Sequence, residues 1–150
     1  KYKALVWGII KPPEGIITQP MARSKLDRKK MTTVKSGGKA AITHYKTLEI
    51  FKSGMFSLVE CSLETGRTHQ IRVHLSHIGH SIVGDQTYGN NKRKTTGCPE
   101  TLREVLIKFD HQALHSFYIS FIHPITEVLM EFEKELPVDY NNLITCLKTS

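Results

Sequence analysis

At Thr65-Gly66-Arg67-Thr68 the spacing of apolar residues changes, and that change constrains the fold more than any other feature of the chain. Upstream, residues 1–10 alternate polar and apolar side chains, and residues 40–51 and 55–63 are rich in β-branched and aromatic ones, as strands are. Pro12-Pro13-Glu14-Gly15 breaks the first, and Lys52-Ser53-Gly54 makes a tight turn between the other two. Downstream, Ile71, Leu75 and Ile78 fall at i, i+4 and i+7, one face of a short helix. Thr68 is read as its N-cap and Gly79 as its stop.

The rest of the chain follows the same logic. Residues 18–39 are short of large apolar side chains and read as a surface excursion, a long hairpin ending at Gly37-Gly38. Residues 84–98 read as a loop carrying Lys92-Arg93-Lys94, and Pro99 opens a helix to about residue 108. Residues 113–122 and 127–133 form a closing strand pair around His123-Pro124. Pro137-Val138-Asp139 opens a last helix with Leu143, Ile144 and Leu147 inward. Strands first and helices interspersed predict an α+β fold: a mixed, mostly antiparallel sheet with flanking helices. At 150 residues this is one domain, residues 1–150, large enough to fold without metal or disulfides. No run approaches about 18 apolar residues, so no membrane span is expected.

Charge narrows the partner. Twenty-one Lys and Arg stand against 14 Asp and Glu, a net +7. Residues 1–52 hold twelve basic and three acidic side chains, a net +9, and the remainder nets −2. A lopsided field of this kind suits a polyanion such as nucleic acid. The three cysteines, Cys61, Cys98 and Cys146, make no disulfide framework or zinc knuckle by spacing, which fits a reducing cytoplasm.

Several chemistries are disfavoured. His69, His74, His77 and His80 crowd together, but on a helix His69 points away from His74, and no nearby carboxylate completes a metal set. Cys61 reads as a small core residue. There is no G-x-S-x-G elbow and no glycine-rich phosphate loop. What stands out is Gly66-Arg67-Thr68-His69-Gln70-Ile71-Arg72-Val73-His74, a turn feeding a helix start with two arginines and a glutamine near its positive end. Such a segment handles anions.

This block, continued through residues 75–82 and closed by Gly84-Asp85-Gln86-Thr87-Tyr88-Gly89, resembles the C-terminal half of an RluA-type pseudouridine synthase catalytic domain. Lys1-Tyr2-Lys3-Ala4-Leu5-Val6-Trp7-Gly8 resembles the strand carrying that family's active-site tyrosine. Gln112-Ala113-Leu114-His115 and His123-Pro124-Ile125 resemble its last strand pair, and Gly38-Lys39-Ala40-Ala41-Ile42-Thr43-His44-Tyr45 is most like the RluD branch. The resemblance implies an isomerase that converts uridine to pseudouridine in large-subunit ribosomal RNA, in the cytoplasm and without cofactor or metal. A flipped-out uridine loses its glycosidic N–C bond, the uracil turns, and it is rejoined through carbon. By the same resemblance Arg72 pairs with the essential aspartate. Tyr2 stacks on the flipped base, its hydroxyl placed to assist proton removal as the product re-forms. Arg67 and His69, beside Arg72, are expected to reach phosphates near that nucleotide. The clusters Arg28-Lys29-Lys30 and Lys92-Arg93-Lys94 would track the RNA backbone.

One departure is large. The family's aspartate lies in an H-R-L-D block ahead of the tyrosine strand. The aspartates here, Asp27, Asp85, Asp110 and Asp139, sit in no such block. Asp85 is expected to bond its own turn backbone. The 150 residues alone are therefore expected to be inactive, with an N-terminal half supplied in cis or trans. Its absence would leave residues 1–10 as an unpaired sheet edge. The alternative reading is a non-catalytic, basic RNA-binding fragment or partner subunit.

Overall fold

The computed structural model describes residues 1–149. Its spine is β1 (Tyr2–Trp7), in which Ala4, Leu5 and Val6 are fully buried. The alternation expected of residues 1–10 stops at Ala4: from there to Trp7 the run is apolar and buried, as in a strand covered on both faces. β2 (Glu14–Ile17), β5 (Thr43–Phe51), β6 (Phe56–Leu63) and β7 (Leu114–Ser116) complete a five-stranded sheet in the order β2-β5-β6-β1-β7. Each neighbouring pair is antiparallel, with Tyr2 opposite both Cys61 and Ser116. Two hairpins stand outside the sheet: β3 (Met21–Arg23) with β4 (Met31–Thr33), and β8 (Tyr118–Ile122) with β9 (Leu129–Glu133).

The helices are α1 (Gln70–His77), α2 (Asn91–Thr95), α3 (Glu100–Lys108) and α4 (Val138–Thr149). Ile71 and Leu75 of α1, Leu102 and Leu106 of α3, and Leu143, Ile144 and Leu147 of α4 join the apolar residues of β1 and β6 in one core. α4 is also pinned by a polar contact. The buried Tyr140 hydroxyl donates to the Lys3 carbonyl at 3.1 Å, and burial pushes its phenol well above the usual range. Cys61 is a core residue as expected, its thiol pushed up to about 12 by burial. No helix among the described residues is long and apolar enough to cross a membrane.

The α+β class, the antiparallel sheet and the helices at 70–77, 100–108 and 138–149 agree with the sequence reading. Four details differ, each because tertiary contacts override a local signal. The expected open edge along residues 1–10 is absent: β7 and β6 flank β1, and Leu5 N–H, Trp7 N–H and the Leu5 carbonyl bond Ala113, Ser81 and Val83. Residues 113–122 are not one strand. The chain breaks at Phe117, with β7 joining the sheet and β8 folding onto β9. Residues 91–95 form a helical turn where a loop was expected, because Trp7 Nε1 donates to Asn91 Oδ1 at 3.1 Å and Lys94 reaches Ser81. The excursion at 18–39 is a hairpin as expected, but it also buries Met21 against Ala41 and Val73.

Leu143→Ala should cost about 2–5 kcal/mol, the range for a deleted core leucine, whereas Tyr140→Phe should cost only about 1 kcal/mol for one hydrogen bond. Urea unfolding of both variants measures the two directly. Similar losses for both would mean that α4 is held by its hydroxyl and not by its apolar face.

Candidate active site

The C-terminal end of β6 feeds the turn at 65–69 and then α1, and the turn is shaped by one buried side chain. Gln70 donates from Nε2 to the Ile42 carbonyl (3.1 Å) and the Thr43 hydroxyl (3.0 Å). Its Oε1 accepts from Arg67 N–H (3.0 Å) and the Thr65 hydroxyl (2.8 Å). The carboxamide is thus satisfied on both sides and fixes the turn against β5. This corrects the N-cap: Thr68 is exposed, and His69 occupies the capping position in the left-handed region (φ 57°, ψ 23°) with no side-chain cap. Gln70 was not among the expected site residues. Its place inside the anion-handling motif was the available signal.

The turn, the start of β1 and the start of β7 enclose a cleft of about 310 Å³, lined among others by Tyr2, Arg67, His69, Arg72 and Leu114. Four of the expected residues therefore meet in one place. A second cleft, of about 460 Å³, lies on the other side of Arg67, between the β3–β4 hairpin and Gly66-Arg67-Thr68, with Arg23 and Lys39 on its walls. Arg67 borders both, and its Nε donates to the Ala40 carbonyl at 2.8 Å.

Arg72 is gripped from below. Its Nε and Nη2 donate to Asp85 Oδ2 and Oδ1 at 2.8 and 2.9 Å, a two-pronged pair with Asp85 fully buried. Asp85 Oδ1 also accepts the Thr87 and Tyr88 amides at 2.9 Å each, the turn bonding expected of it. Burial alone would push this carboxyl up, but Arg72 and the two amides prevail and hold it below the usual range. The same hydrogen bond raises the Arg72 guanidinium. Gly84 makes the approach possible: its φ is +82°, and a side chain there would run into the His111 carbonyl. Asp85 takes two of the five guanidinium N–H donors, leaving three for another anion.

The histidines have partners within the fold. His74 is fully buried; its Nε2–H donates to the Gln19 carbonyl at 2.9 Å, so Nδ1 accepts from the Thr43 hydroxyl at 2.8 Å. Burial lowers its pKa. His77 Nδ1 lies 3.1 Å from the Thr33 hydroxyl, and His80 Nδ1 lies 2.8 Å from the Trp7 carbonyl.

The two basic clusters lie outside the cleft. Arg28 and Lys29 are exposed at the turn of the β3–β4 hairpin, with Lys30 half-buried beside them. Lys92 and Arg93 are exposed on α2. Lys94 departs from the expectation: its ammonium donates to the Ser81 hydroxyl at 2.6 Å, lies 5.9 Å from the Trp7 ring centre, and has its pKa lowered by burial. It is committed to the fold.

Asp85→Asn should destabilise the protein by about 3–5 kcal/mol, because it strands the mostly buried Arg72 charge. The lowered carboxyl fixes the sign of the pH effect. Its stabilisation is complete above the unfolded carboxyl pKa of about 3.9 and is lost as pH falls below it. Acid unfolding of the wild type should therefore carry a component below about pH 4 that Asp85→Asn lacks, as read by circular dichroism across that range.

The RNA pseudouridylate synthase family matches residues 1–77. The chain is 43% identical over 148 residues to the ribosomal large subunit pseudouridine synthase D of Pasteurella multocida, covering 99% of this chain and 44% of that protein. It is 46% identical over 148 residues to the uncharacterized RNA pseudouridine synthase YlyB of Bacillus subtilis, again with 99% and 44% covered. The chain thus spans under half the length of these relatives. Among solved structures, human RNA pseudouridylate synthase domain containing 1 superposes with a TM-score of 0.67 at 25% identity, over 99% of this chain and 65% of that one. Human RNA pseudouridylate synthase domain containing 4 superposes with a TM-score of 0.73 at 23% identity, over 98% and 61%, and shares the fold. With its arginine-lined cleft, its sheet and these likenesses together, the chain belongs to the RNA pseudouridylate synthase family and is RluD-like within it.

Proposed function

We propose that these 150 residues form one part of a cytoplasmic pseudouridine synthase that isomerises uridine in large-subunit ribosomal RNA. The observation that supports this most directly is the convergence of Tyr2 and Arg72 on one cleft, with Arg72 oriented by a buried carboxylate. A flipped uracil lying against the Tyr2 ring would have the phenol oxygen close to the carbon that must lose a proton when the new C–C bond forms. The donors of Arg72 not engaged by Asp85 would hold the carboxylate that acts at the sugar. A planar fork suits that task better than a lysine ammonium.

That carboxylate is proposed to come from outside these residues. Asp85 is consumed by Arg72, Asp139 lies 2.8 Å from His111, and Asp27 accepts the Lys29 amide. Asp110 is exposed and does not line the cleft. A preceding half bearing the H-R-L-D block, in the same polypeptide or as a separate chain, would complete the site. No cofactor enters this scheme. Arg67 and His69 would contact phosphates at the cleft, and Arg28, Lys29, Lys30, Lys92 and Arg93 would follow the strand further out.

The test joins this chain to a segment carrying the H-R-L-D block and follows tritium release from uridine-labelled ribosomal RNA. The chain alone should form no pseudouridine, and the joined protein should. Arg72→Ala in the joined protein should lower turnover by about 10²- to 10³-fold, as loss of an oriented electrostatic group does, while RNA affinity changes little. An affinity loss matching the turnover loss would favour the RNA-binding fragment. Product from the chain alone would overturn the need for an outside aspartate.

The basic clusters make a separate claim. Neutralising Arg28 and Lys29, or Lys92 and Arg93, should reduce the slope of log affinity against log salt by about 0.7–0.9 per lost phosphate contact. Lys94→Gln should leave the slope unchanged and lower the melting temperature instead. A slope change from Lys94 equal to that from Lys92 would refute the division drawn between them.

A further inference from the structure

Tyr88 joins the separate parts of the site. Its oxygen accepts the Met31 backbone N–H at 2.9 Å, which ties down the β3–β4 hairpin, and lies 2.7 Å from His69 Nδ1. Its ring sits 4.9 Å from the Arg72 guanidinium, and its own amide donates to Asp85. The phenol has one proton. Met31 N–H can only donate, so it occupies the oxygen as acceptor and leaves the phenolic proton to find a partner. At 2.7 Å that partner is His69 Nδ1. The reverse arrangement, Nδ1–H donating to the phenol, would leave the phenolic proton with no acceptor in a half-buried position. In the uncharged ring the imidazole proton is then on Nε2, which no hydrogen bond within the described residues engages.

Three further facts favour a role for that donor. His69 is held with positive φ, a conformation unfavourable for a residue with a side chain and one that gathers at functional sites. Burial and the neighbouring Arg72 lower its pKa, which keeps the ring uncharged near neutral pH. Arg67 and Arg72 line the same cleft, so an anion is the fitting occupant.

We propose that Tyr88 is a positioning residue that fixes the His69 tautomer, so that the cleft offers an Nε2–H donor between Arg67 and Arg72 to a phosphate oxygen of the bound strand. The phosphate assignment rests on the RNA reading above; the tautomer does not.

The experiment has two arms. Ring-nitrogen NMR of the 150-residue chain should show His69 with Nδ1 unprotonated and Nε2 protonated, together with a slowly exchanging Tyr88 hydroxyl proton. Tyr88→Phe keeps the ring over Arg72 and should lose that proton and admit the other tautomer. A wild-type His69 protonated at Nδ1 overturns the proposal whatever happens with RNA. The second arm measures affinity for a uridine-bearing RNA stem-loop. Tyr88→Phe should bind about 5- to 10-fold more weakly, less than the full loss of a hydrogen bond to a charged group because the Nε2–H tautomer is still partly populated. The same change in a His69→Ala background should cost clearly less, the remainder being what the hairpin loses with the Met31 bond. Additive losses would overturn that link. If the wild type binds no RNA, the RNA reading and the phosphate assignment fall together, and the spectra still decide the tautomer.

Discussion

The candidate site depends on a buried carboxylate. Asp85 is fully enclosed, and an ionised group there is tolerable only because Arg72 and two backbone amides share its charge. The consequence runs both ways. The turn at 84–89 is closed by the carboxylate that Arg72 compensates, and Arg72 is aimed by a turn that cannot relax without exposing that carboxylate. A bidentate grip fixes the plane of the guanidinium as well as its position. The donors that remain are therefore presented in a set direction.

Around this pair the polar groups are arranged so that few can reorient. Gln70 uses all four of its contacts to fix the turn carrying Arg67 and His69. His74, one helical turn on, bonds β5 through Thr43 and reaches Gln19 on the way into β3. A carbonyl acceptor at one ring nitrogen and a hydroxyl at the other leave His74 only one uncharged form. Tyr88 then links this framework to the hairpin. Buried networks of this kind rigidify when every member is satisfied. The cleft is accordingly bordered by four polar side chains, Arg67, His69, Gln70 and Arg72, that are each tied to the fold by hydrogen bonds.

Much of this was legible in the residues, and the rest fails for identifiable reasons. β1 could be read as a strand from its alternating start, though not as one covered on both faces, and α4 could be read because Leu143, Ile144 and Leu147 repeat at helical spacing. Tyr2, Arg67, His69 and Arg72 could be expected together because the blocks that hold them resemble those of one family, and the structure lines one cleft with all four. What could not be read depends on contacts distant in sequence. Lys94 lies in a run of three cations, and nothing local distinguishes it from Lys92; Ser81 and Trp7 do. α2 is five residues of ordinary loop composition, helical because Asn91 is held by Trp7 and by the Asp85 carbonyl. The Arg72–Asp85 pair spans thirteen residues and depends on the bend at Gly84. Asp85 showed its turn-forming habit in sequence, whereas its charge partner required the fold.

The cations consequently divide by how they are held, and the division bears on what each could contribute. Arg67, Arg72 and Lys94 each spend donors on the protein, on Ala40, Asp85 and Ser81. A cation bound in this way has already lost its rotamer freedom, so a ligand meeting its remaining donors pays little further ordering cost. It offers direction, and direction is what discriminates one geometry from another. The exposed Lys29, Lys92 and Arg93 carry no such commitment; a polyanion near them gains counterion release with no preferred geometry. In the proposed reading, attraction of RNA to the surface and orientation of one nucleotide in the cleft fall to different residues. The first should weaken steadily with salt. The second should resist it, because Arg72 is mostly buried and its partner fully so, where mobile ions screen least.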